Sequence, residues 1–172
     1  EMTLHLAVYD ARSDVEAVVH AHPPYATAFG VAARDLPHPF LPEAVVSLGA
    51  EIPTVPLAPP GAASRKVLEP FVRKCDAVLI AGNGVLTWGP SLEIAYLRME
   101  LVEHVAQIAS AAMSMGGPVQ LPGDMVAALV AKRAKAGLAA PEEGQTGEAV
   151  PRSERIENQA VEQIVSSLPQ AD

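Results

Sequence analysis

One stretch decides the fold of this chain: residues 17–29, which read AVVHAHPPYATAF. The β-branched pair Val18-Val19 predicts a buried strand. His20 and His22 stand two residues apart, so both imidazoles lie on the same face of that strand's end. Pro23-Pro24 ends the strand and opens an apolar helix, because proline fixes φ and is tolerated in the first turn of a helix.

A His-x-His pair also occurs in proteins that bind no metal, where each histidine packs in the core and is hydrogen-bonded. Here the order of strand, histidine pair, proline stop and apolar helix favours a divalent-metal site. Catalytic zinc takes three protein ligands and keeps one open position, so His20 and His22 predict half of such a site. The remaining ligands must come from elsewhere in the chain.

Composition predicts a single globular domain. The 172 residues are 49% hydrophobic and 19% charged, which is typical of a folded core and not of a disordered chain. A net charge of −8 without a basic stripe excludes nucleic acid as a partner. The single cysteine, Cys75, fits a reducing compartment. No signal peptide and no apolar run near about 18 residues is present, so we expect a soluble, cytoplasmic protein with no membrane partner.

Short strands and helices alternate along most of the chain. Periodicity and capping residues predict helices over residues 3–11, 24–33, 42–48, 62–74, 92–113 and 123–135, and strands over residues 17–22, 52–55, 77–81 and 85–89. The last two strands join through Gly82-Asn83-Gly84, a turn that favours a hairpin. The organisation is therefore α/β.

The composition changes after residue 138. Residues 139–151 form a polar linker that contains proline and glycine, and residues 153–168 resume helical spacing with one apolar stripe. We therefore divide the chain into a domain at residues 1–138, a flexible linker at 139–151 and an amphipathic C-terminal helix within 152–172. That helix either packs back on a subunit of the protein or docks on a partner.

Three stretches together resemble the class II aldolase/adducin family, and in particular its fuculose-phosphate aldolases and ribulose-phosphate epimerases. They are AVVHAHPPYATAF at residues 17–29, LPEAVVSLGAEIPTVPLAPPG at residues 41–61 and AVLIAGNGVLTWGPSLEIAYLRMELVEHVAQIA at residues 77–109. The resemblance covers residues 1–138. It implies a three-layer α/β/α sandwich around a mostly antiparallel sheet, a homotetramer with active sites between subunits, and Zn²⁺ or another divalent metal that stabilises an enediolate.

The resemblance also assigns roles to single residues. His20 and His22 match two zinc ligands, and Glu1 matches a glutamate that serves as general base or metal neighbour. His5, four residues after Glu1, is assigned to helix packing. The family's third zinc histidine falls at Asn83, whose amide oxygen is a weaker ligand than imidazole.

Three interpretations of Asn83 stay open. The site binds metal weakly or takes a harder ion, or His104 or another side chain completes it, or the chain is a non-catalytic member. The family's phosphate-cradling loops, which lie upstream, are not matched, so no substrate-binding residue is assigned. The C-terminal helix is similar to the peptides that direct enzymes into bacterial microcompartments, which makes a microcompartment shell a candidate partner.

The implied activity is that of a metal-dependent aldolase, a lyase that cleaves or forms a C–C bond in a short sugar phosphate such as fuculose 1-phosphate. An epimerase, a dehydratase or a decarboxylase of the same family fits the same residues. A non-catalytic, adducin-like interaction domain is the alternative from another class.

Overall fold

The structure, a computed structural model, describes residues 2–143. Glu1 and residues 144–172, which include most of the predicted linker and the predicted C-terminal helix, lie outside the described residues. Helices and strands alternate in the order α1 (Met2–Ala11), β1 (Ala17–Ala21), α2 (Pro24–Val31), α3 (Pro42–Leu48), β2 (Thr54–Val55), α4 (Ala62–Val72), β3 (Ala77–Ile80), β4 (Val85–Gly89), α5 (Leu92–Met113) and α6 (Gly123–Lys135).

The strands form one sheet in the order β1-β4-β3-β2. Strand β4 pairs antiparallel with β1 on one side and with β3 on the other, whereas β2 pairs parallel with β3. Leu79 lies opposite Val85, which confirms the predicted hairpin between β3 and β4. The sheet is therefore mostly antiparallel, as expected.

Helices cover both faces of the sheet, because alternate side chains of each strand point to opposite faces. On one face α1 and α4 pack against Val18, Val78 and Leu86. On the other face α2, α3 and α5 enclose Leu79 and Val85. Helix α6 lies outside this layer and contacts α3. The predicted α/β/α sandwich is confirmed, and within residues 2–143 no helix is long and apolar enough to cross a membrane.

A buried carboxylate lies at the end of the sheet where β3 begins. Asp76 is only 1% exposed, and three arginines surround it that are each at most 5% exposed. Nη2 of Arg12 and Nη2 of Arg98 both lie 3.0 Å from the Asp76 carboxylate, and Nη2 of Arg133 lies 2.6 Å from it. This Asp76 cluster joins the end of α1, the start of β3, α5 and α6.

Each arginine of the Asp76 cluster also donates to main-chain carbonyls, which supplies further acceptors for its buried N–H groups. The acceptors are the carbonyls of Val72 and Cys75 for Arg12, of Trp88 for Arg98, and of Val46 and Ser47 for Arg133. Burial lowers the pKa of Arg98, and the charge of Asp76 opposes that shift. The carboxylate is therefore what makes the buried guanidinium tolerable.

Residues 139–143, where the predicted linker starts, contact this cluster. Ala140 is buried, and the Glu143 carboxylate accepts from Nε of Arg133 at 2.8 Å. Glu142 pairs with Arg73 at the end of α4. The chain is thus held to the domain through residue 143.

We expect Asp76→Asn to lower the free energy of unfolding by about 3–5 kcal/mol, because it leaves three buried guanidinium groups without their shared carboxylate. Urea unfolding followed by circular dichroism measures this loss. Glu69→Gln is the control, since it removes only the exposed ion pair with Arg65 and is expected to change stability little. Equal effects of the two substitutions would contradict a central role for Asp76.

Candidate metal and catalytic site

The two histidines predicted as metal ligands lie side by side at the end of β1. The centroids of the His20 and His22 rings are 5.3 Å apart, and the planes of the rings make an angle of 61°. His20 is half-buried and pairs with Leu86 of β4, whereas His22 follows the last paired residue and is exposed. Strand β1 ends at Ala21, one residue before the predicted end. Pro23 takes an extended conformation and α2 starts at Pro24, as the proline pair predicts.

The turn between β3 and β4 lies directly beside this pair. Its geometry is set by main-chain hydrogen bonds from Asn83 N to the Ile80 carbonyl, 2.9 Å, and from Ile80 N to the Gly84 carbonyl, 2.8 Å. Nε2 of His20 lies 2.8 Å from the main-chain carbonyl of Asn83. Because a carbonyl only accepts, this ring nitrogen carries the proton here. The fold therefore brings the predicted third ligand position, Asn83, next to His20.

Gly84 is the residue that lets the turn approach β1. Its φ is +81°, and a Cβ placed there would lie 2.3 Å from the Ala21 carbonyl oxygen and 2.5 Å from Cδ2 of His22. Both distances are far below van der Waals contact, so only glycine fits. The absence of a side chain at Gly84 thus allows the turn to lie against Ala21 and the His22 ring.

Gly84→Ala is expected to displace His22 and to lower the free energy of unfolding by more than about 1 kcal/mol, because overlap adds to the strain of a positive φ. Gly82→Ala is the matched control: it lies in the same turn with φ +65°, and a Cβ there would meet only Leu57 at 3.9 Å. Urea unfolding and the imidazole resonances of His22 measure the two effects. An unmoved His22 in Gly84→Ala would contradict this account of the turn.

His5 of α1 also reaches the site. Its ring centroid is 6.5 Å from that of His20, with an angle of 63° between the rings. His20 shares the strand face of Val18, which α1 and α4 cover, and this explains why the two histidines meet. The resemblance predicts His5 only as a helix-packing residue. No local pattern in the sequence marks this approach, because it depends on how α1 packs on the sheet.

The donor set fits a divalent metal in part. Two imidazoles that share a tetrahedral zinc, with bonds of about 2.0–2.1 Å, have ring centroids roughly 5 Å apart, which the His20–His22 separation matches. The longer His5–His20 separation does not. In the described part of the chain, no group of three histidine, cysteine, aspartate or glutamate residues could hold an ion. Within residues 2–143 the histidine pair therefore has no third histidine, cysteine or carboxylate ligand. The resemblance assigns the third ligand position to Asn83 and makes Glu1 a general base or metal neighbour.

Two other candidates do not complete the site. Burial raises the pKa of Cys75 to about 12, so its thiol remains protonated, and it lies beside the Asp76 cluster. His104 is exposed on α5, where it lines an open groove of about 650 Å³ together with Pro23, Glu100 and Glu103. The histidine pair and the turn at residues 82–84 are thus the core of the candidate site.

Residues 1–110 match the family described as Class II Aldolase and Adducin N-terminal domain, and the chain belongs to that family. A protein named L-fuculose phosphate aldolase, from Methanococcus vannielii, is 34% identical over 116 residues, which cover 66% of this chain and 61% of that protein. A protein named 3-oxo-tetronate 4-phosphate decarboxylase, from Pectobacterium atrosepticum, is 32% identical over 63% of this chain and 51% of its own length.

Solved structures show the same fold. The structure of an L-fuculose 1-phosphate aldolase superposes with a TM-score of 0.70 at 27% identity, and the match covers 77% of this chain and 62% of that one. The family resemblance and the α/β/α architecture are therefore confirmed. This chain spans about three fifths of the length of the curated aldolases it matches.

Proposed function

We propose that this chain is a divalent-metal-dependent lyase that acts on a phosphorylated keto sugar, most simply as an aldolase. The observation that carries the proposal is the His20–His22 pair, whose ring separation of 5.3 Å suits one shared ion. Membership of the class II aldolase and adducin family supports it. Zn²⁺ is the ion that two imidazole ligands suit best, with Glu1 as the neighbouring carboxylate.

The relatives support a common kind of chemistry. The names of the two proteins described above give a ketose phosphate and a 3-oxo acid phosphate as their substrates. Aldol cleavage and decarboxylation of a 3-oxo acid both break a C–C bond and leave the electron pair on a carbon next to a carbonyl. When bound, a divalent ion supplies Lewis-acid stabilisation of the oxygen on which that negative charge collects.

Different residues of this chain would bind the ion and transfer the proton. His20 and His22 hold the ion, and Glu1 moves the proton that C–C cleavage or formation requires. The proton on Nε2 of His20 donates to the Asn83 carbonyl in this structure, so binding of an ion through Nε2 must displace both the proton and that hydrogen bond. The turn at residues 82–84 therefore competes with the ion for His20.

We expect the purified chain to bind one Zn²⁺, as measured by isothermal titration calorimetry. His20→Ala and His22→Ala are each expected to weaken binding by more than the ~10–100-fold that loss of an outer-shell partner costs. They should also abolish release of aldehyde from L-fuculose 1-phosphate, as should chelation of the metal. His104→Ala is the matched control, because it removes an exposed imidazole outside the pair.

The outcomes separate the two functional classes. A wild-type chain that binds no zinc would overturn the proposal. An effect of His104→Ala equal to that of His20→Ala would show that the metal site includes His104 of α5, against the proposal. Zinc binding without cleavage of any phosphorylated ketose favours the non-catalytic, adducin-like interaction domain instead. Asn83→His should raise zinc affinity, because it places a third imidazole in the turn beside His20.

We also propose that the chain beyond residue 143 is a docking tail and that the protein works as a homo-oligomer. Arg133 and Arg73 hold Glu143 and Glu142 at the Asp76 end of the sheet, opposite to His20 and His22. The apolar stripe predicted within residues 152–172 is similar to that of peptides which bind microcompartment shells.

Deletion of residues 144–172 tests the tail. We expect the shortened chain to bind zinc like the full chain and to lose co-purification with microcompartment shell proteins in cells that produce both. The Arg133–Glu143 contact is retained in this variant, so the stability of the domain serves as the internal control. Unchanged association with the shell proteins would contradict a docking role for residues 144–172.

A further inference from the structure

A carboxylate from α5 holds the first turn of α2. Oε1 of Glu103 accepts from the main-chain N–H of Tyr25 at 3.1 Å, and Oε2 accepts from that of Ala26 at 2.9 Å. The first N–H groups of a helix have no partner within the helix, and the residue before α2, Pro23, offers no side chain to cap them. Glu103 therefore caps α2 from a neighbouring helix, with hydrogen bonds that its charge strengthens.

This capped turn is connected to His22 by a short and stiff segment. Only Pro23 and Pro24 separate His22 from Tyr25, and each proline ring fixes its own φ. Movement of the α2 N-terminus is therefore passed on to the main chain at His22. The other side of His22 is limited by the turn at Gly84, where no side chain fits.

Glu103 itself is set on a rigid support. Its neighbours Val102 and Ala106 on α5 are fully buried in the same core as Ala26 and Phe29 of α2. The Nε2 group of Gln107, one helical turn later, donates to Oε1 of Glu103 at 3.3 Å. The carboxylate thus holds a fixed position relative to the sheet.

We infer that Glu103 is a positioning residue for His22: by capping α2 from α5 it fixes the His22 imidazole at the separation from His20 that one shared metal ion needs. This inference rests on the metal site proposed above. Glu103 does not touch the ion or the substrate in this account. Outer-shell partners of metal ligands commonly act in this way, through orientation of the ligand.

The test compares Glu103→Gln with Glu100→Gln in the full chain. The glutamine at position 103 keeps the size of the side chain but replaces one acceptor oxygen with a donor that faces a main-chain N–H. Glu100 is the matched control, because it lies one turn earlier on α5 and, among the described residues, accepts only from the exposed Tyr96 hydroxyl, at 3.0 Å. Glu103→Asp, which keeps the charge on a shorter side chain, is the second variant in case Glu103→Gln does not fold.

We expect Glu103→Gln to bind Zn²⁺ about tenfold more weakly than the wild type, the lower end of the usual outer-shell effect, and Glu100→Gln to bind it normally. Imidazole resonances of the metal-free chain in ¹H–¹⁵N spectra report the surroundings of each histidine ring. They would not change if Glu103 only stabilised α2 and did not position His22. Those of His22 should shift in Glu103→Gln and remain in place in Glu100→Gln.

Wild-type zinc affinity together with unmoved His22 resonances in Glu103→Gln would overturn the inference and leave Glu103 as a helix cap alone. Failure of the wild type to bind zinc is a different result, since it overturns the proposed function. In that case the His22 resonances alone decide whether Glu103 positions the ring: a shift upholds that role and no shift removes it.

Discussion

The Asp76 cluster is the interaction on which the rest of the structure depends. An isolated charge in a protein interior is very costly, and three buried guanidinium groups are tolerable only where carboxylates and carbonyls satisfy them. One carboxylate cannot balance three arginines. Asp14 and Glu143 supply the remaining negative charge, through Arg12 and Arg133. The cluster therefore joins the segment after α1, the segment after α6 and the end of the sheet where β3 begins.

This arrangement gives the sheet two unlike ends. Where β3 begins, Asp76 and its partners lie almost wholly out of solvent. Where β1 ends, the chain leaves the sheet through an exposed histidine and two prolines, beside a glycine-containing turn. Function is commonly placed on loops that a rigid scaffold holds. The candidate site follows that rule, since the rigid end fixes the strands whose opposite ends carry His20 and Asn83.

The sequence predicted local features well and long-range pairing poorly. The bounds of α5 and α6 and the hairpin at Asn83 agree with the structure, because caps, periodicity and turn residues act over a few positions. The predicted strand 52–55 is shorter, at Thr54–Val55, since Pro53 and Pro56 have no N–H to donate to a neighbouring strand. The predicted helix 62–74 ends at Val72, whose carbonyl accepts from Arg12 instead.

The Asp76 cluster could not be foreseen from the sequence. Arg12 and Arg133 lie 64 and 57 positions from Asp76, and an arginine near the end of a helix is normally assigned to a solvated face. The same limit applies to the site. The spacing of His20 and His22 is local and was predicted, whereas the approach of His5 and the cap from Glu103 depend on how helices pack on the sheet.

Contacts within the protein hold the histidine pair in place. The Asn83 carbonyl accepts from His20, Gly84 admits the His22 ring, and Glu103 fixes the chain after it. The metal site proposed here would serve aldol cleavage and decarboxylation equally, because both reactions need the same negative charge stabilised on an oxygen. The choice between them must therefore be made by groups that contact the rest of the substrate.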